Sequence, residues 1–192
     1  MQILALSNNK LSTELREDTF LCGRGKAVQV NYDFGALQSK PWIYNIISKQ
    51  HFRLDRKEGQ TVLTDLSSNG TFVNRTLVGK SMSYVLDNGD IISCGRSDIP
   101  IFLYEEHAQG AYPASLSEKY IMTSTSLGKG GYGSVIMGKL RSNFEVQVAV
   151  KVLDISQLSQ RFSRTVSKAK DVEKEVAIML QISHVSRLFA GY

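Results

Sequence analysis

The 192-residue sequence predicts an all-β sandwich followed by a partial α+β unit, and three observations carry that prediction. Up to about residue 105, short runs of Val, Ile, Leu, Thr and Phe are broken by Gly, Asn, Asp and Ser at intervals of roughly eight to twelve residues, the punctuation of a sandwich or barrel. Between His107 and Lys119 the chain turns to Ala, Gln, Gly, Pro and Ser, which is linker composition. Beyond it, three strand-like runs precede one stretch with helical spacing. The expected organisation is therefore a sandwich over 1–106, a linker over 107–119 and an incomplete second domain over 120–192.

In the first domain, strands are expected at Ile3 to Ser7, Thr19 to Cys22, Ala27 to Val30, His51 to Arg56, Thr61 to Asp65, Ser83 to Leu86, Asp90 to Ser93 and Ile101 to Glu105. No helix-period segment of useful length interrupts them. Turns are expected at Lys57-Glu58-Gly59-Gln60 and at Asp87-Asn88-Gly89-Asp90, where Asn-Gly accepts the positive φ that a hairpin needs. In the second domain, Tyr120 to Leu127, Ser134 to Leu140 and Glu145 to Val152 predict three antiparallel strands. After a polar stretch, Asp171 to Gln181 places Val172, Val176, Met179 and Leu180 at helical spacing.

Composition narrows the function classes. With 42% hydrophobic and 21% charged residues the chain is neither disordered nor fibrous. Its net charge of +5 favours anionic partners, among which phosphorylated protein fits better than nucleic acid. Cys22 and Cys94 lie far apart, form no Cys-x-x-Cys pair and lack a nearby histidine, so they predict buried apolar side chains rather than a metal site. The start, Met1-Gln2-Ile3-Leu4-Ala5-Leu6-Ser7, lacks a basic n-region, and its apolar run is too short for a signal peptide or membrane span. A reducing interior is expected, and the glycosylation patterns at Asn69 and Asn74 then go unused.

Three segments of the first domain carry phosphate chemistry: Gly23-Arg24-Gly25-Lys26, Ser48-Lys49-Gln50-His51 and Asn69-Gly70-Thr71 with Asn74. A guanidinium, two ammonium groups, a hydroxyl and carboxamides together suit a phosphate beside an extended peptide. In this order and at these separations the segments resemble the forkhead-associated (FHA) family, which implies an FHA β-sandwich whose loops bind phosphothreonine peptides. The resemblance implies that Arg24 and Ser48 hold the phosphate, that Lys26 and Lys49 add charge and that Asn69 bonds the ligand backbone. His51, Gly70 and Asn74 are expected to be architectural.

The second domain holds Leu127-Gly128-Lys129-Gly130-Gly131-Tyr132-Gly133-Ser134-Val135, then Val148-Ala149-Val150-Lys151, then Glu175 within the helical stretch. A Gly-x-Gly-x-x-Gly run also occurs in dinucleotide folds, but there a helix follows the glycines, whereas here a strand does. The set resembles the small lobe of a serine/threonine protein kinase. That resemblance implies ATP bound by Leu127, Gly128, Gly130, Gly133, Val135, Ala149 and Lys151, with Val135 and Ala149 on the adenine, Lys151 on the phosphates and Glu175 paired with Lys151. No His-Arg-Asp and no later Asp-Phe-Gly follow. Asp33-Phe34-Gly35 precedes the glycine run and is a decoy. The chain alone is expected to bind peptide but not to transfer phosphate, to hold no metal, and to be poorly stable in its second part.

An FHA domain directly before a kinase domain is similar to the layout of checkpoint kinases of the DNA-damage and meiotic responses. This resemblance implies a nuclear enzyme using ATP and Mg, recruited by phosphothreonine proteins and self-associating through FHA–phosphopeptide contacts. Ser156-Gln157 and Ser159-Gln160 resemble sites for damage-sensing kinases. The alternative is a non-catalytic phosphopeptide adaptor with a vestigial kinase remnant.

Overall fold

The computed structural model describes residues 2–5, 13–25, 30–31, 41–106, 112–130, 133–153 and 189–191. The chain divides into two compact units, Met1–His107 and Ala108–Tyr192.

The first unit is built from two sheets. Strands β1 (Gln2–Ala5), β2 (Thr13–Glu14), β3 (Thr19–Gly23) and β4 (Val30–Asn31) precede helix α1 (Pro41–Ile46). Then come β5 (Phe52–Lys57), β6 (Gln60–Asp65), β7 (Thr71–Val73), β8 (Thr76–Leu77), β9 (Ser83–Leu86), β10 (Ile91–Cys94) and β11 (Pro100–Glu105). One sheet runs β2-β1-β11-β10-β7-β8 and the other β4-β3-β5-β6-β9. All pairings are antiparallel except the short β3–β4 pair.

The core lies between the sheets because alternate residues of each strand point inward. Phe20, Cys22, Phe52, Leu54, Leu63 and Leu86 come from one sheet and Val73, Ile92, Cys94, Phe102 and Tyr104 from the other. Phe52 and Phe102 meet edge to face, with centroids 6.0 Å apart. The Tyr104 hydroxyl crosses the core to donate to Thr61 Oγ1 at 2.8 Å, which satisfies a polar tip that burial would otherwise penalise. Both cysteines are free and buried, and burial pushes both thiols well above their ordinary pKa.

The turns sort into two kinds. Glu58 and Gly59 both take positive φ, 50° and 80°, and close the β5–β6 hairpin as expected from Glu-Gly. Asn74 and Arg75, at 49° and 71°, close a second two-residue hairpin, β7–β8, which the sequence reading did not include. By contrast, the Asp87–Asp90 segment is no hairpin. It carries the chain from β9 in one sheet to β10 in the other, with Gly89 in the left-handed region and the Asp90 carboxylate accepting from the Asp87 backbone N–H at 2.8 Å.

Helix α1 corrects the expectation that no helix interrupts the first domain. Proline opens it, where a missing N–H costs nothing. Ile43 is its buried anchor, and Ile47, the residue just past its end, is buried with it, at 3% exposure each. Six residues with two aromatics and two β-branched side chains show too little periodicity to separate from a strand.

In the second unit, α2 (Ala114–Ser117) is followed by β12 (Tyr120–Gly130), β13 (Gly133–Leu140), β14 (Asn143–Leu153) and β15 (Phe189–Gly191). The sheet order is β12-β13-β14-β15, antiparallel until β15 joins β14 in parallel. The three expected strands are present. The segment read as a linker contributes α2, whose Leu116 is buried against Tyr120, Met122, Val148 and Val150, with half-buried Tyr112 beside them. One leucine in a polar run is a weak sequence signal, yet it covers one face of the sheet. The predicted helix at 171–181, with Glu175, lies outside the described residues, as do Ser156, Ser159 and most of the expected strand from Ala27 to Val30.

Candidate functional site

Two loops meet at the end of β3 because two glycines let them. A Cβ on Gly23 would lie 2.4 Å from the Lys49 carbonyl oxygen, and one on Gly25 would lie 2.8 Å from the same atom. Without those side chains the backbones come close enough for the Arg24 N–H to donate to the Ser48 carbonyl at 3.1 Å and the Gly25 N–H to the Lys49 carbonyl at 3.0 Å. Arg24 is thereby held next to Ser48 and Lys49. Its Nε donates to the Ile47 carbonyl at 2.5 Å, and its guanidinium carbon sits 5.3 Å from the centre of the Tyr44 ring on α1.

The third loop is braced from below. Asp65, fully buried at the end of β6, accepts from the Thr71 hydroxyl at 2.7 Å, the Ser67 N–H at 2.9 Å and the Thr71 N–H at 3.2 Å. Burial raises its pKa, but the bonds from Thr71 and Ser67 outweigh that and hold the carboxyl below its usual range. Ser67 Oγ in turn accepts from the Gly70 N–H at 2.8 Å. Gly70 has φ 92°, a backbone conformation that favours glycine, and a Cβ there would also displace the tip of Leu77, 2.9 Å away.

His51 ties the second loop to the third. The Ser48 N–H donates to Nδ1 at 3.0 Å, so the proton of the neutral ring is on Nε2, which donates to the Gly70 carbonyl at 3.1 Å. The side chain is fully buried, and burial lowers its pKa more than Gly70 and Asp65 raise it. Two further bonds close the arrangement: the Ser68 N–H donates to Ser48 Oγ at 3.1 Å, and Asn69 Nδ2 donates to the Ile46 carbonyl at 2.8 Å. Asn74 stands apart, donating to Asp90 Oδ1 at 2.7 Å and accepting from the Ile91 N–H.

These loops surround an open cleft of about 660 Å³ lined by Arg24, Ser48, Lys49 and Asn69 together with Asn45, Ile47, Gln50, Leu66 and Ser68. Four of the five residues named from sequence therefore share one surface, and Lys26 lies outside the described residues. Among the described residues, the lining holds two cations and no carboxylate. Sequence reasoning missed Asn45 and the ring of Tyr44 because α1 itself was not foreseen.

The second unit presents a smaller cleft of about 300 Å³ lined by Gly128, Lys129, Gly130, Gly133, Ser134, Val135 and Lys151. Pairing explains the grouping: Val135 lies opposite Gly128 on one side and Lys151 on the other. Leu127 and Ala149, named with them, are exposed and do not line this cleft. Among the described residues no group of three or more His, Cys, Asp or Glu could hold a metal ion, and no helix is long and apolar enough to cross a membrane.

A model of the FHA domain family matches residues 20–95. These residues form an FHA domain. Over 176 residues the chain is 41% identical to the serine/threonine-protein kinase chk-2 of Caenorhabditis elegans, which covers 90% of this chain and 37% of that protein. It is 30% identical over 186 residues to the ovarian-specific serine/threonine-protein kinase Lok of Drosophila melanogaster, covering 93% of this chain and 38% of Lok. The meiosis-specific serine/threonine-protein kinase mek1 of Schizosaccharomyces pombe is 29% identical over 121 residues, 59% of this chain and 27% of mek1. The chain thus spans little more than a third of the length of chk-2 and Lok. A solved FHA domain, described for phosphothreonine-dependent interactions, overlaps with TM-score 0.45 at 23% identity, covering 56% of this chain and 97% of that one.

Proposed function

We propose that the FHA domain binds phosphothreonine peptides in the cleft formed by Arg24, Ser48, Lys49 and Asn69. The observation that carries this is their convergence, from three loops, on one open surface whose described lining residues include no carboxylate. A phosphate of about −1.5 to −2 charge needs several donors at once. The Arg24 Nη groups supply a fork, since its Nε is engaged with Ile47. Ser48 Oγ accepts from Ser68, so its hydroxyl hydrogen is directed to another acceptor. Lys49 adds charge, and Lys26 does so by its place in the sequence. Asn69 uses its amide nitrogen on Ile46, which leaves its carbonyl oxygen to accept from a peptide N–H.

The parent protein, on this proposal, is an ATP-dependent serine/threonine kinase of a nuclear DNA-damage or meiotic checkpoint, brought to phosphothreonine proteins by the FHA domain and able to pair with a second copy through the same contact. The similarity to chk-2, Lok and mek1 supports this reading. The donors of the second cleft fit ATP: backbone of Gly128, Gly130 and Gly133 faces the cleft that Lys151 lines, and Val135 offers an apolar wall. When bound, ATP supplies the phosphoryl group. Glu175 is assigned the partner of Lys151, and Ser156 and Ser159 regulatory phosphorylation, from sequence alone. These 192 residues lack the catalytic and magnesium-binding motifs, so they bind without catalysing.

The test is Arg24→Ala, titrated with a phosphothreonine peptide selected from a degenerate library on the wild-type chain. Binding should weaken by about a hundredfold or more with an unchanged melting curve. Equal affinity in the two proteins, or equal binding of the unphosphorylated peptide, would remove the proposal.

A further inference from the structure

The phosphate-facing arginine of the cleft is not held by its own loop alone. Its backbone is held by Ser48, and Nε–H donates to the Ile47 carbonyl, a single hydrogen bond at the inner edge of the guanidinium that leaves its outer Nη groups to be steadied by packing. A further contact comes from the Tyr44 ring, 5.3 Å from the guanidinium carbon. From this arrangement we infer that Tyr44 is a positioning residue for ligand binding: its ring face sets the orientation of the Arg24 fork before a phosphate arrives. This inference rests on the proposed phosphopeptide site.

The position of Tyr44 follows from α1. Ile43 and Ile47 anchor the helix in the core, which turns Tyr44 outward, where it is 37% exposed, on the wall that also presents Asn45 to the cleft. An aromatic face attracts a guanidinium through its quadrupole without using any of its N–H donors. That distinction matters here. A carboxylate in the same place would also orient Arg24, but it would consume the donors and the charge that a phosphate requires. The ring orients the fork and leaves both intact.

The same helix supplies an internal control. Trp42, two residues earlier, holds Arg96 in a similar contact at 5.6 Å, but Arg96 is already paired with Asp98 through two bonds of 2.9 and 2.7 Å and lines no part of the cleft. Removing the Trp42 ring disturbs the helix surface to a similar degree without touching the Arg24 fork.

The experiment measures affinity of Tyr44→Leu, Tyr44→Phe and Trp42→Leu for the phosphothreonine peptide selected on the wild-type chain, with thermal melts of each. Tyr44→Leu should bind about fivefold more weakly, the size of one cation–π contact, while Tyr44→Phe and Trp42→Leu stay within about twofold of wild type. The inference is overturned if Tyr44→Leu binds like wild type. It is equally overturned if Tyr44→Phe is as weak as Tyr44→Leu, since the hydroxyl and not the ring would then matter, or if Trp42→Leu matches Tyr44→Leu. A wild-type chain that selects no phosphothreonine peptide defeats the proposed function itself, a result separable from these.

Discussion

The two clefts of this chain are built by opposite means. In the FHA domain the loops of the site are braced by polar side chains: buried His51 spans from Ser48 to Gly70, buried Asp65 gathers Ser67 and Thr71, and exposed Asn69 reaches back to Ile46. In the second unit the cleft is the bare face of a sheet, and its grouping of Gly128, Val135 and Lys151 is set by strand register. A site made of loops needs polar bracing because loops have no ladder to fix them. A site laid on strands gets its geometry from pairing and needs a core beneath it.

Removing one brace tests this contrast most severely. Asp65→Ala leaves Ser67 and Thr71 N–H groups buried without their acceptor, and it should cost the sandwich about 3 kcal/mol and abolish peptide binding although Asp65 is not among the residues lining that cleft. Urea denaturation followed by the signal of the first unit, alongside a peptide titration, measures both, and normal binding would show that the bracing is incidental. For the sheet-based cleft the corresponding weak point is apolar. Leu116→Ala removes the side chain under Tyr120 and Val150 and should destabilise the second unit by about 2 kcal/mol, read from hydrogen exchange of the β14 amides. Unchanged exchange would mean that α2 is decoration.

A gentler perturbation uses pH. The His51 pKa is lowered by burial, so the folded state holds fewer protons than the unfolded chain as pH falls below the ordinary histidine value of 6.5. Its contribution is therefore fully present above that value and declines on acidification. Stability should drop from pH 7 to 5.5 in the wild type, and this part of the slope should vanish in His51→Gln, whose own loss at pH 7 reflects imperfect replacement of the two ring bonds. Parallel pH profiles would contradict the assignment of a neutral buried ring. The smallest effect is expected at the far end of the sandwich: Glu58→Asn suits the positive φ of the first β5–β6 turn position better and should stabilise by about 0.5 kcal/mol in the same urea assay, without altering affinity.

The contrast also explains what could be seen in the sequence. Strands β5 and β6 are legible because Gly59 and Asn69-Gly70 bound them, and Arg24, Ser48, Lys49 and Asn69 stand out together because their chemistry is unusual in combination. Those four are now seen on one surface. What stayed hidden depends on long-range geometry. Asp87-Asn88-Gly89-Asp90 has hairpin chemistry, yet Asp90 accepts from Asn74 across the fold and the chain changes sheets there. Asn74-Arg75 lacks a glycine, so its hairpin is unannounced although both residues take positive φ. In α1, too few turns exist for periodicity to register, and with α1 went Tyr44 and Asn45. Leu127 and Ala149 were grouped with the glycine cleft by resemblance, but they do not line it.

Cys22 and Cys94 sit in the core of the sandwich with their thiols held protonated by burial. A protonated, inaccessible sulfur is inert to alkylating reagents, and it turns nucleophilic only when water reaches it. The native sequence thus carries an internal clock for opening of the sandwich. Under slow labelling, modification of either sulfur counts excursions from the closed state, and a bound ligand that restrains the loops should lengthen the interval between them.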